Sequence, residues 1–257
     1  MSWASRRRST YGLGALLFFV LIIGVPLAHH YISIAPTCSD GVRNQSETAI
    51  DKGGPCSVLD ERRLSPVATL WARAFRVRSG SYSAVAYIQN PNATAGIRLA
   101  HYRFGLYDEN NVPVAERDGT TFVMPGATTP IFEGSIDTGN RVVSHTYFEF
   151  TGPLVWERLD DTSNAISIGN RSIELSSAPR ISATAINNSV RDMKNVVFII
   201  TVSDPSGNAF AASQTSLADF PSGASEPITF TWPAPFNITI GSVDITALSE
   251  PRAPRGN

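Results

Sequence analysis

Two cysteines and four histidines in 257 residues leave little material for a transition-metal centre. No run of Cys and His has zinc-ligand spacing, and neither H-E-x-x-H nor a G-x-x-x-x-G-K-[ST] phosphate loop occurs. A G-x-S-x-G nucleophile elbow is missing as well. Charge is sparse: 17% of residues are charged and the net charge is -1. That balance removes the general electrostatic case for nucleic acid as a partner, and no basic stripe interleaved with aromatics supplies a local one. Long apolar runs are absent too, with one exception near the N-terminus.

That exception is Tyr11 to Ala28, YGLGALLFFVLIIGVPLA, which no charge interrupts. At about 1.5 Å per residue it spans roughly 27 Å as a helix, close to the thickness of a hydrocarbon core. Arg6, Arg7 and Arg8 precede it, and the next basic residue is Arg43. The positive-inside rule then places residues 1–10 in the cytoplasm, a transmembrane helix at 11–28, and the remainder outside the cell membrane. A cleaved signal peptide is the rival reading, although Pro26 spoils a small-x-small exit.

An outside location predicts a disulfide between Cys38 and Cys56, closing a loop module over 38–56. The loop is too polar to fold around a core, and closing it contributes about 3 kcal/mol in the chain-entropy model. Within it, Asp40, Asn44, Glu47 and Asp51 recur every three or four residues. Two readings stand: oxygen ligands for a hard cation such as a structural Ca²⁺, or solvated turn residues beside Gly41, Gly53 and Gly54. The stretch resembles a short cysteine-rich module of bacterial surface proteins, C-x-D-G-x-x-N-x-x-E-x-x-x-D-C-G-G-x-C. Lys52 stands where that module has a further cysteine, so one simple pair remains. The resemblance implies a surface protein and no activity.

Beyond Pro66 the pattern changes. ATLWARAFRV, YSAVAYIQN, RLAHYRFGLYD and HTYFEF alternate apolar and polar residues, which predicts strands with one buried face. Nineteen Gly and 17 Pro supply the turns between them. The order then returns: ISATAINN mirrors AVAYIQNPN, FIITVSDPSGNAFA mirrors FGLYDENNVPVA, and FPSGASEPITF mirrors MPGATTPIF. Asp108 and Asp204 stand 96 positions apart, and each precedes a turn proline by 17. A period of this length argues for duplicated domains, so the expected fold is all-β: two tandem immunoglobulin- or fibronectin-like β-sandwiches, 66–151 and 165–248, plus the N-terminal helix. Between them GPLVWERLDDTSNA reads as an apolar linker, and 249–257 reads as a fraying tail.

Phe104-Gly105-Leu106-Tyr107-Asp108 spells F-x-L-Y-D and resembles the FxLYD family of small bacterial β-sandwich domains, in company with Asn90-Pro91 and Pro125-Gly126. The second copy has Ile200-Thr201-Val202-Ser203-Asp204 and departs from the motif. The resemblance implies no catalytic residue. Phe104 and Leu106 share one strand face as core, Tyr107 completes the motif, and Asp108 closes the turn.

These readings converge on a single-pass protein without enzymatic activity and without a cofactor beyond that Ca²⁺ alternative. It would offer its sandwiches to an envelope protein partner through loops such as Asn110-Asn111 and Ser206-Gly207-Asn208, or by strand addition. An accessory subunit of a secretion or pilus machine is the first alternative, and a cell-wall or glycan hydrolase the second. His101 and His145, the pairs Asp108-Glu109 and Asp160-Asp161, and sequons at Asn44, Asn92, Asn170, Asn187 and Asn237 are the remaining chemistry-bearing features.

Overall fold

The computed structural model describes residues 3–33, 37–160 and 165–252. The chain divides into two units, one through Cys56 and one from Ser57 onward. The first opens with a helix, α1 (Trp3–Phe19), which runs through a π-helical turn, Val20–Gly24, into α2 (Val25–Ser33). Pro26 explains that turn. It has no N–H for the carbonyl four residues back, and its ring crowds that carbonyl, so the backbone widens just before it. Thr10–His29 forms a 20-residue span of mean hydropathy 2.3. Its apolar side chains are exposed all round, as at Leu16, Phe18 and Ile22. A helix of this kind suits lipid or a signal sequence and does not suit a protein core. The irregular loop 37–56 ends this unit.

The second unit is all-β. In its first half, β1 (Ala68–Arg78), β2 (Ser81–Gln89) and β5 (Thr128–Asp137) form one antiparallel sheet in the order β1-β2-β5. β4 (Pro113–Val123), β3 (Ala95–Tyr107) and β6 (His145–Phe150) form the facing sheet in the order β4-β3-β6. β7 (Trp156–Arg158) continues the β6 edge by pairing with Ala95, Gly96 and Ile97 of β3. Trp156 and Leu159 are both buried, so the expected linker serves as part of the first sandwich. Asp161 to Asn164 of that linker lie outside the described residues.

The second half repeats this order. β8 (Ile166–Glu174), β9 (Arg180–Asn187) and β12 (Ser225–Thr231) make a sheet β12-β9-β8. β10 (Met193–Ser203), β11 (Ala209–Phe220) and β13 (Ser242–Leu248) make its partner, β11-β10-β13. The two sandwiches therefore share one strand order. Their cores are separate: Ala84, Ala86, Phe104, Leu106 and Ile131 fill the first, and Ile181, Val196, Phe198, Ile200 and Phe230 the second. Of the tail, Pro251 is buried and the Arg252 carbonyl accepts the Asp160 N–H; residues 253–257 lie outside the described residues.

The expectation of strands with one buried face fails for β2 and β10. Val85 in β2 and Ile199 in β10 point away from their own cores, yet they are 0% and 2% exposed. They meet each other with Ala212 and Leu248, flanked by Trp71, Phe75 and Phe132. Sheet β1-β2-β5 thus stacks its outer face on sheet β11-β10-β13, and both inner sheets are covered on both sides. This is why SAVAYI and VVFIITV read as nearly unbroken apolar runs. Tyr87 stands at the boundary, stacked on Trp71 at 4.6 Å between ring centroids. Its hydroxyl lies 3.0 Å from Thr201 Oγ1 and 2.9 Å from Asp244 Oδ2. Burial first, and then the Asp244 carboxylate, keep that phenol protonated well above its ordinary range.

Candidate functional site

In the loop, Cys38 and Cys56 are bridged. Gln45, Ser46 and Asp51 take positive φ, as do Gly41, Gly53 and Gly54, so the chain turns sharply within a few residues. The acidic side chains hold these turns by accepting backbone N–H groups. Asp40 accepts from Val42 at 2.8 Å and Thr37 at 3.0 Å, and from the Asn44 side chain at 2.8 Å. These bonds, the Thr37 N–H foremost, hold its carboxyl below the usual range. Both Asp51 oxygens face the Gly41 N–H, at 3.1 and 3.2 Å. Glu47, only 3% exposed, takes the N–H groups of Asn44 and Asp51 on Oε2. Its Oε1 lies 3.2 Å from Cys56 Sγ, a bridged sulfur with no proton to give. Among the described residues, one group of three ligating side chains has its ligand atoms within 4.8 Å of one another. It is Cys38, Glu47 and Cys56, and the bridge occupies both sulfurs. Asn44 Oδ1 is buried without a partner. The side chains of Arg6, Arg7 and Arg8, the topology residues, lie outside the described part.

The F-x-L-Y-D residues lie at the end of β3. Phe104 and Leu106 are fully buried and face the core. Gly105 points outward beneath the Tyr107 ring, where a Cβ would come within 2.8 Å of it. Tyr107 in turn meets Tyr147 of β6 edge to face at 5.3 Å. A glycine in mid-strand leaves a gap, and here an aromatic ring covers it. Asp108 closes the hairpin by accepting the N–H groups of Val112 at 2.9 Å and Asn110 at 3.0 Å, with Arg141 alongside at 3.0 Å. The Val112 N–H is the main cause of its lowered pKa. Asp204 repeats the arrangement with Asn208 and Ser206. The turn it closes sits beside the first sandwich, where Arg73 donates to the Ala209 carbonyl.

The sequence marked Asn90 as part of a turn motif and Asn187 as a sequon, but not the role that they share. Asn90 and Asn187, 1% and 0% exposed, are the same pin in the two sandwiches. Asn90 donates to the carbonyls of Ala95 and Met124, and Asn187 to those of Arg191, Phe220 and Pro221. Each side chain ties the turn after the second strand to the turn after the fourth. The mirrored Q-N-P and I-N-N turns were the available signal. At this depth Asn187 cannot serve as a glycosylation sequon. His101 and His145 lie on the exposed outer face of β3 and β6. His145 pairs with Tyr107, six residues along β3 from His101, a separation of about 20 Å.

Two concavities lie along one side of the second sandwich. In the first, edge strands β1 and β6 approach one another, and a concavity of about 370 Å³ lies between Ala74 and His145. The corresponding β8 and β13 leave a wider cleft. One cavity of about 360 Å³ lies between Ile168, Thr246 and the Thr128 end of β5. Another of about 700 Å³ lies between Ile173, Ile238 and Val243. Arg171 borders both. It owes its position to a bulge: Gly169 pairs with Thr184 and Ser172 with Ser182, so Asn170 and Arg171 face a single residue, and Asn170 takes φ 49°.

No family model and no curated protein matches this chain. Among solved structures, red sea bream transglutaminase aligns with 73% of this chain and 32% of its own length, at 8% identity. The TM-score is 0.25, too low to carry any argument about fold or function.

Proposed function

We propose that the protein is a single-pass, membrane-anchored scaffold that presents its two sandwiches outside the cytoplasm for binding to other envelope proteins. The apolar helix carries this reading: twenty residues long, exposed on every side, it is preceded by Arg6, Arg7 and Arg8. The Cys38–Cys56 bridge supports an oxidising location for the chain beyond the helix. The stacked sandwiches supply a stiff body of the kind used to hold a binding edge in one place. Kinship with FxLYD-type domains and descent of the two halves from one duplicated domain belong to the same proposal. The shared strand order and the matching asparagine and aspartate turns support them.

Protease added to intact cells, after permeabilisation of any outer wall, tests the orientation. An epitope at the C-terminus should be lost and one at the N-terminus kept. Protection of the C-terminal epitope would refute the proposal.

A further inference from the structure

β8 and β13 are both edge strands, each paired on one side only. An open edge with apolar residues beside it is a template for another strand, and proteins that keep one normally cover or use it. Here Ile173 and Leu175 of the β8 side and Ile238 before β13 are 46%, 65% and 47% exposed. The first sandwich brings the same two strands together over a smaller concavity of about 370 Å³ lined by Arg73 and His145, so the wider apolar opening belongs to the second sandwich. The cleft carries one charge. Among the described residues, Arg171 is the only ionisable side chain bordering either cavity, and it has no carboxylate partner there. Its Nη1 donates to the Val243 carbonyl across the seam at 3.0 Å, and the other guanidinium N–H groups are left over.

We propose that this seam takes an extended segment of a partner protein, added as a strand along β13. Apolar side chains at alternate positions enter the cleft, and an Asp or Glu faces Arg171. The period-2 alternation comes from strand geometry: one face of the added strand meets Ile168, Ile240 and Val243, and the other meets water. The acid is dictated by Arg171, whose guanidinium matches a carboxylate. At about 3.4 Å per residue, the seven residues of β13 accommodate a segment of similar length. The proposal rests on reading the chain as a binding scaffold, but its chemistry concerns the seam alone.

The test is selection from a displayed library of randomised heptapeptides on the full-length chain in detergent. Enriched peptides should alternate apolar and polar residues and carry one acid. Arg171→Glu should weaken them at least tenfold, and Ile173→Glu, at an exposed position where folding is not at risk, by a similar factor. Hydrogen exchange should slow at 242–248 when a selected peptide binds. Peptides without an acid, binding indifferent to Arg171→Glu, or protection on another edge such as β4 or β12 would overturn the proposal. Self-association of the chain through this edge, seen as a concentration-dependent mass that Arg171→Glu abolishes, would replace the partner by a second copy and overturn it equally. Because the purified chain is used, a wrong membrane orientation would leave this result standing, and failure here would leave the protease result standing.

Discussion

At the scale of single residues, polar side chains that close turns add to the stability of the apolar cores. Inside the second sandwich the two N–H groups of Asn187 Nδ2 are shared among three carbonyls. Replacing it with Ala leaves them without that donor. We expect a loss of about 3 kcal/mol, read as a lower urea midpoint with unchanged slope. Asn90→Ala should behave alike. Asp204 gives a pH signature. The Asn208 N–H, above all, lowers its folded pKa beneath the ordinary 3.8. A depressed carboxyl pKa contributes stability above the unfolded value and loses it as pH falls through the folded one. Asp204→Asn should therefore lower the urea midpoint near pH 6, and the gap from the parent protein should shrink as pH falls below about 4. A gap that widens on acidification would contradict the assignment. Of these residues, Asp204 was legible from its spacing to Pro221. Asn187 was not, because an asparagine in a turn reads as solvated until the fourth-strand turn folds over it.

At the scale of elements, the loop 37–56 has no apolar core and relies on its bridge and its carboxylates. Reduction removes about 3 kcal/mol of loop closure. Trypsin should then cut after Arg43 and Lys52 faster than in the oxidised protein; mass spectrometry of the fragments decides. Equal cleavage before and after reduction would show that the bridge does not order the loop. The helix was legible from its uncharged apolar run, and the strands from their alternation. The β8 bulge that swings Arg171 across the seam was not. Nothing in S-I-G-N-R-S announces which two residues will share one partner; the pairing strand β9 decides that.

At the scale of the whole chain from Ser57 onward, the stacking of two sheets face to face joins the two sandwiches through one apolar contact. Ile199 sits in that contact and outside the second sandwich's own core. Ile199→Glu buries a charge there without entering either core. We expect calorimetry to resolve two transitions where the parent protein shows one. A single transition in the variant, shifted but unsplit, would mean that the sandwiches do not depend on this contact for their cooperation.

The amino-acid sequence by itself determined the apolar helix, the cysteine pair, the β class and the doubled order of turns. Each of these is written in local period, composition or short spacing, which the chain carries before it folds. The tertiary structure alone decided that β2 and β10 are covered on both faces, that two asparagines are buried pins, and that one seam is narrower than its counterpart. Those depend on which surfaces meet across a hundred residues of chain, and burial is a property of the meeting surfaces, not of either strand alone.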